Sequence, residues 1–229
     1  MRIAFVSDIH SNLHAFEKVL EKIQSIGVDE IFCCGDIVGY NAFPKECLKV
    51  VREKGFHCVL GNHDWATLTG DVSWFNDFGV AGVNYSRDKI DGDDMDFLKG
   101  LQNNLVFERE GVCFYMVHGS PRDNIFEYVF PWSNDYLFED LAKMVDADFI
   151  LLGHTHVPME KKFSGKVFLN PGSVGQPRDG DSDASFMVFD TKNRTYSWYR
   201  VSYDVDAAAK SIKDVGLPSF LADRLYLGK

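Results

Sequence analysis

His10, His63, His118, His154 and His156 each lie just beyond an apolar, strand-like run, and so do Asp8, Asp36 and Asn62. Imidazole, carboxylate and carboxamide groups are the N- and O-donors that divalent transition metals accept. Asp8-Ile9-His10 and His154-Thr155-His156 share an alternate-residue spacing. In extended backbone that spacing turns both side chains to one side, so each pair can face one metal or two adjacent ones. Gly35-Asp36 sets a carboxylate beside a residue that permits close backbone approach. In Gly61-Asn62-His63-Asp64, Asn62 offers a neutral oxygen to a metal or phosphate, and His63 can exchange a proton near neutral pH. Asp64 is expected to accept a hydrogen bond from His63 and fix its tautomer. Taken alone, such a stretch reads as a polar turn, and one strand-end histidine is more often structural. The whole set together predicts a metal centre. It contains no thiolate, which disfavours a structural zinc finger. It divides into two metal spheres, and two carboxylates against two divalent ions leave a net charge of roughly +2, a field suited to a phosphate ester. Metals ~3.5–4 Å apart can hold a bridging hydroxide and align it behind phosphorus.

The elements that must position these groups follow from periodicity. Arg2–Ser7, Glu30–Cys34 and Phe56–Leu60 read as buried strands, and Asn12–Ser25 and Pro44–Lys54 as helices between them. This βαβαβ opening implies parallel strands joined by right-handed crossovers. Strand ends in such a sheet converge on one edge, where open α/β sheets bind ligands. Residues 64–104 mix aromatics with an acidic loop, and short helices are expected over Asp77–Lys89 and Asp94–Leu101. Leu105–Glu108 and Val112–Val117 read as a hairpin, Asn134–Val145 as a helix and Phe149–Leu152 as a buried strand. Met159–Phe163 with Lys166–Leu169, and Ser185–Asp190 with Thr195–Val201, read as further hairpins that add antiparallel strands or a second sheet. Val205–Val215 and Ser219–Leu227 are expected to be helical. No repeat or linker interrupts the 229 residues, so one domain over 1–229 is expected.

Composition limits the function classes. With 45% hydrophobic and 25% charged residues the chain can bury an ordinary core. No apolar run approaches ~20 residues, so no membrane span or membrane partner is expected. Met1–Val6 enters a strand at once without a leader-cleavage pattern, and the expected location is the cytoplasm. Five cysteines, an odd number with no CxxC, read as reduced core thiols. A net charge of -10 argues against a nucleic-acid partner, which needs basic surface. It leaves phosphate substrates open, because bound cations reverse the local sign.

In this order the residues resemble the calcineurin-like metallophosphoesterases. The family pattern of DxH, GD, GNH, a lone H and GHxH stands here as Asp8/His10, Gly35-Asp36, Gly61-Asn62-His63, His118 and Gly153-His154-Thr155-His156. Residues 35–40, 118–122 and 170–178 look like the small bacterial and archaeal phosphoesterase branch, often described as similar to diadenosine tetraphosphatase. The resemblance implies a four-layer αββα sandwich of two mixed β-sheets flanked by helices. It implies that Asp8, His10, Asp36 and His156 hold a first metal, and that Asp36 bridges to a second, completed by Asn62, His118 and His154. His63 would then be the acid that protonates the leaving oxygen, with Asp64 orienting it. Ser11 and Asn41 stand where glycines are common in the family, which bears on loop shape rather than chemistry.

The expected activity is therefore that of a dinuclear-metal phosphoesterase, with a phosphodiesterase as the leading reading and metal-bound hydroxide as the attacking group. Its cofactors are two divalent ions, with manganese, iron, nickel, cobalt and zinc all compatible with N/O ligands. A phosphoprotein or dinucleoside polyphosphate phosphatase is the alternative within the enzyme class. Outside that class stands a catalytically silent scaffold, as in some retromer-type relatives that lack the acid histidine; His63 and every ligand are present here. The expected partner is a small phosphate ester, including nucleotides, and oligomeric state is not legible. Arg122 and Arg178 each follow a proline in a polar loop, where guanidinium suits phosphate oxygens and a surface salt bridge is the competing use. Tyr40 is a candidate substrate contact. Tyr40 and the Trp65–Phe78 aromatics can stack on a nucleobase or simply pack a core. Phe126, Tyr128, Phe130 and Trp132 alternate as in a strand, lining a cleft wall or a subunit contact. His14 and His57 read as structural or surface histidines.

Overall fold

The computed structural model describes residues 1–229. Strands β1 (Arg2–Val6), β2 (Glu30–Cys33), β3 (His57–Cys58), β9 (Ala184–Asp190) and β10 (Thr195–Val201) make one five-stranded sheet in the order β10-β9-β1-β2-β3. Strands β4 (Asn104–Arg109), β5 (Val112–Val117), β6 (Phe149–Leu151), β7 (Met159–Phe163) and β8 (Lys166–Asn170) make a second, ordered β4-β5-β6-β8-β7. Both sheets are mixed. β1, β2 and β3 are parallel, while β9 pairs antiparallel with both β1 and β10. β5, β6 and β8 are parallel between the antiparallel edges β4 and β7.

Alternation along the strands decides the layers. Ile3 and Phe5 of β1 point into a core shared with Phe114 and Met116 of β5, Phe149 and Leu151 of β6 and Phe189 of β9. The intervening Ala4 and Val6 point the other way, towards helices α1 (Leu13–Ile26) and α2 (Pro44–Glu53). Tyr115 and Val117 of β5 likewise point away from the shared core, onto α6 (Asp135–Met144) through Phe138 and Leu141. The result is helix, sheet, sheet, helix, as the resemblance implied. Phenylalanine supplies much of the inter-sheet layer: Phe114 meets Phe5 at 5.8 Å, Phe107 at 5.1 Å and Phe189 at 5.0 Å. Each fully buried ring contributes about 1.5–3 kcal/mol relative to exposure. The five cysteines are unpaired, and all but Cys113 are buried.

Helix α1 starts where Asn12 accepts the Ala15 N–H and stops at Gly27, whose φ of 72° suits a residue without Cβ. Between β3 and β4 lie α3 (Asn62–Thr69), α4 (Asp77–Lys89) and α5 (Gly92–Lys99). Helices α7 (Val205–Asp214) and α8 (Ser219–Asp223) and a 3₁₀ turn, Arg224–Leu227, close the chain and pack on Tyr40 through Ile212, Leu221 and Leu225.

Three local expectations are corrected. The strand expected over Phe56–Leu60 is cut to His57–Cys58: Val59 N–H still donates to Cys33 O at 3.1 Å, but Leu60 N–H turns to Gln102 O at 2.9 Å. Asn62-His63-Asp64 is the first turn of a helix rather than a polar loop. Phe126–Trp132 is not a strand: Asp123 Oδ1 takes the N–H groups of Ile125 and Phe126, and Ser133 Oγ takes that of Phe130. Smaller shifts occur at α5, which begins at Gly92 because Asp91 and Asp94 cap each other there, and at the C-terminus, where the expected helix tightens into 3₁₀ after Asp223.

Candidate metal centre

The parallel strands carry the candidate ligands to one edge. Asp8 and His10 follow β1, Asp36 follows β2, Asn62 and His63 follow β3, His118 follows β5, and His154 and His156 follow β6. All eight are buried. Five of them, Asp8, His10, Asp36, His154 and His156, hold left-handed backbone with φ between 48° and 65°. Ser11 and Tyr40 do so as well, each at 57°. Such conformations cost of order 1–3 kcal/mol apiece and persist where surrounding structure enforces them, as it does at ligand clamps. The left-handed φ of Ser11 is the physical reason a glycine would also suit that position.

Each of four imidazoles gives one ring N–H to a backbone carbonyl. His10 Nδ1 lies 3.0 Å from Val38 O and His118 Nδ1 2.8 Å from Cys34 O. His156 Nδ1 lies 2.6 Å from Gln176 O, and His154 Nε2 3.2 Å from Phe126 O. Those carbonyls orient the rings and leave the other nitrogen of each facing inward, a lone-pair donor once it is free of a proton. The inward nitrogens meet in two pairs: His10 Nε2 with His156 Nε2 at 3.1 Å, and His118 Nε2 with His154 Nδ1 at 3.1 Å. Two lone pairs opposed at that distance repel unless a proton or a cation lies with them.

Carboxylates complete both pairs. Asp8 Oδ1 is 3.3 Å from His156 Nε2 and 3.8 Å from His10 Nε2. It is buried with no hydrogen-bond partner, whereas Asp8 Oδ2 accepts from the Ser7 hydroxyl at 2.6 Å. Asp36 Oδ2 lies 3.6 Å from His10 Nε2 and 3.4 Å from His118 Nε2, between the pairs. Its other oxygen is occupied by the His63 N–H at 2.8 Å. Asn62 Oδ1 joins the second pair, 2.9 Å from His118 Nε2. A solvent-free orphan carboxylate oxygen, opposed imidazole lone pairs and an all-N,O donor set fit divalent cations. Gly61 makes the approach possible, since a Cβ there would meet Asp36 Oδ1 at 2.1 Å and Asp36 N at 2.3 Å.

Charge follows the geometry. Burial pushes the Asp8 carboxyl up, but His156 and His118 outweigh it and hold Asp8 below the usual carboxylate range. Asp36 is held low in the same way by His118 and His63 against burial. Burial drives His10 and His154 well below the ordinary imidazole value, and His156 below it too. His118 differs: burial lowers it, yet Asp36 and Asp8 together raise it to about 9.

His63 stands beside this set. Its ring packs against Tyr40 at 4.3 Å, His10 at 4.7 Å and Phe75 at 4.7 Å, and burial, with Arg178 adding against Asp36, pulls it to about 4. The expected bond to Asp64 is absent. Asp64 instead accepts four backbone N–H groups: Asp36 at 2.9 Å, Ile37 at 3.0 Å, and Val38 and Gly61 at 3.1 Å. It holds the Asp36 loop, while His63 Nδ1 is buried and unpaired. Burial, reinforced by Asp36, raises Asp64 to about 7.

A cavity of about 70 Å³ opens onto the centre, lined by Asp36, Asn62, His63, His154, His156, Tyr40 and Arg178, with Trp74, Phe75, Asn76 and Tyr128 at its sides. Arg178 thus lies at the site, where Nη2 donates to Gln176 Oε1 at 2.9 Å and to the Tyr40 hydroxyl at 3.4 Å. Arg122 does not: it is exposed and pairs with Glu127, within its own loop. His14 packs on Phe43 and His57 on Phe32, both outside the centre. The sequence reading missed Ser7, Asn170 and Ser173, which brace the ligand loops. Asn170 Nδ2 donates to Gly153 O at 2.7 Å and Ser173 Oγ to Asp8 O at 2.8 Å. The family-like stretch 170–178 marked the place of Asn170 and Ser173, but a residue type compatible with any loop does not name its partner.

The two-sheet sandwich and the buried N,O donor set define an α/β protein with a candidate metal centre at its strand ends. The chain belongs to the calcineurin-like phosphoesterase superfamily, whose domain model matches residues 1–194, and it is a metal-dependent phosphoric ester hydrolase. It is 37% identical over 244 aligned residues to an uncharacterized protein of Methanocaldococcus jannaschii, covering 99% of this chain and 98% of that one. A crystal structure of a metallophosphoesterase from Sphaerobacter thermophilus superposes with a TM-score of 0.87 at 33% identity, covering 100% and 99% of the two chains. The phosphodiesterase YfcE of Escherichia coli is 26% identical over 205 aligned residues, 83% of this chain and 88% of its own. No helix is long and apolar enough to cross a membrane.

Proposed function

We propose that the chain is a phosphodiesterase whose two half-sites each hold a divalent cation, with manganese as the first metal to try. The observation that carries this reading is the pair of opposed imidazoles on either side of Asp36 Oδ2. Asp8, His10, Asp36 and His156 would hold one cation, and Asp36, Asn62, His118 and His154 the other. Bound there, two cations supply Lewis acidity for the phosphoryl oxygens and an activated water.

The remaining steps belong to the chain's own groups. The cavity of about 70 Å³ opens to solvent and seats a phosphoryl group with its ester arms directed towards the mouth. Arg178, at the cavity wall, binds a non-bridging oxygen, and Tyr40 keeps its guanidinium in place at 5.7 Å. His63 gives its proton to the leaving oxygen. With its imidazole held at about 4 in the free chain, it takes up that proton along with the negative charge of the substrate. Asp64 positions Asp36 rather than His63. The whole chain would be one domain, as the shared inter-sheet core and the matching length of its relatives support. The unpaired cysteines support a reducing, cytoplasmic location.

The test is hydrolysis by the cation-reconstituted protein of an aryl phosphodiester, an aryl phosphomonoester and a dinucleoside tetraphosphate. Highest kcat/KM on the diester is expected. Preference for the monoester or the tetraphosphate would replace the diester assignment, and inactivity on all three with cations bound would remove the catalytic one.

A further inference from the structure

The aromatic side chains around the cavity do not all pack a core. Trp74 is 74% exposed and Tyr128 47%, yet both line the same cavity as Asp36, His63 and His154. Trp74 stacks on Phe126 at 5.4 Å, and Phe126 is held edge-on by Trp65 at 5.2 Å. Tyr128 stacks on the His154 ring at 3.7 Å with 21° between planes. Outward from Tyr128 the stack continues through Phe130 at 5.6 Å and 5° to Trp132 at 4.9 Å and 12°. Trp132 is 72% exposed. Trp74 is fixed from below by Phe126 while most of its ring stays open to solvent, and its neighbour Phe75 packs on His63. An apolar, rigid surface of this kind beside a centre is a stacking platform: indole and phenol faces take any planar π system, with stacking as a main contribution.

We infer that the open face of Trp74, on the cavity wall that Tyr128 also lines, binds the nucleobase of a mononucleotide-type phosphate ester held at the centre. This rests on the phosphoesterase reading above and names its substrate class. Trp74 stands on the wall of the small cavity, and a flat aromatic ester arm is the one that gains from its open face. The acidic chain, at -10, offers no basic track for a polynucleotide, so the fitting ligand is a single nucleotide unit rather than a strand. Arg178 at the same wall takes the phosphate end.

The test is calorimetric binding of adenosine 5′-monophosphate and of ribose 5-phosphate to the cation-loaded protein, which reads the platform whether or not turnover occurs. Adenosine 5′-monophosphate should bind on the order of tenfold more tightly. Trp74→Ala should erase that difference by weakening the nucleotide alone, and Trp74→Phe should keep most of it. Equal affinities in the unaltered protein, or an equal loss for both ligands in Trp74→Ala, would overturn the inference. So would concentration-dependent dimerisation that Trp74→Ala and Trp132→Ala abolish, which would make the rings an interface between copies. Failure of the hydrolysis panel with nucleotide selectivity intact would instead strike the catalytic reading.

Discussion

Asp64→Asn separates two roles that the sequence cannot. Each Asp64 oxygen accepts two buried backbone N–H groups, Oδ1 from Ile37 and Val38 and Oδ2 from Asp36 and Gly61. The amide keeps one oxygen and turns the other into a donor, so in either orientation two N–H groups lose their acceptor. A buried donor left unmade costs about 1–3 kcal/mol, which gives roughly 2–6 kcal/mol for the pair. For a chain of this size each kcal/mol moves Tm by about 2–4 °C, so the metal-free variant should melt on the order of 10 °C lower. The loop that slackens carries Asp36, and cation affinity should fall by about 10–100-fold, the usual range for a group that orients a ligand. At saturating cation the pH dependence of kcat should keep its shape. Thermal unfolding, cation titration and a pH–rate profile measure the three effects. Unchanged stability and cation affinity with a lost acidic limb of the profile would refute the reasoning and return Asp64 to His63.

His63→Ala should leave cation binding unchanged and lower kcat by about 10²–10⁴-fold on an alkyl diester, but far less on a nitrophenyl diester, whose leaving oxygen departs without a proton; equal losses on both would contradict the acid role. Cation binding at pH 8 should release close to one proton. At that pH His118, held at about 9 by Asp36 and Asp8 despite burial, is still protonated, while Asp64, at about 7, is already ionised. Affinity should therefore rise with pH and level off above about 9, and calorimetry in buffers of different ionisation enthalpy counts the proton; none released would contradict it. Arg178→Ala should raise KM for the diester, whereas Arg122→Ala should leave KM unchanged, because exposed Arg122 pairs with Glu127 outside the cavity.

Much of the candidate site was legible because its residues directly follow apolar runs, and strand ends of parallel sheets converge. Asp8, Asp36, Asn62, His118, His154 and His156 meet as their spacing implied. The long helices were legible through apolar periodicity, as in Phe16, Val19 and Ile23 of α1. What failed depended on side-chain-to-backbone hydrogen bonds that the hydrophobic pattern does not record. The first turn of α3 is Asn-His-Asp, residues that favour turns and caps on their own; its helical form is secured by Asp64 reaching the 36–38 backbone. The alternating Phe126–Trp132 mimics a strand, but side chains of Asp123 and Ser133 take its N–H groups before a neighbouring strand can. The four carbonyls that orient the histidine rings carry no residue identity at all. Arg122 and Arg178 share a local sequence context, and only the fold sends one to the cavity and the other to Glu127.

Anomalous diffraction from crystals grown with manganese tests the central claim most directly. Two peaks about 3.5–4 Å apart, one beside Asp8, His10 and His156 and the other beside Asn62, His118 and His154, with Asp36 Oδ2 touching both, are predicted. A single peak, or cations bound away from these side chains, would contradict it.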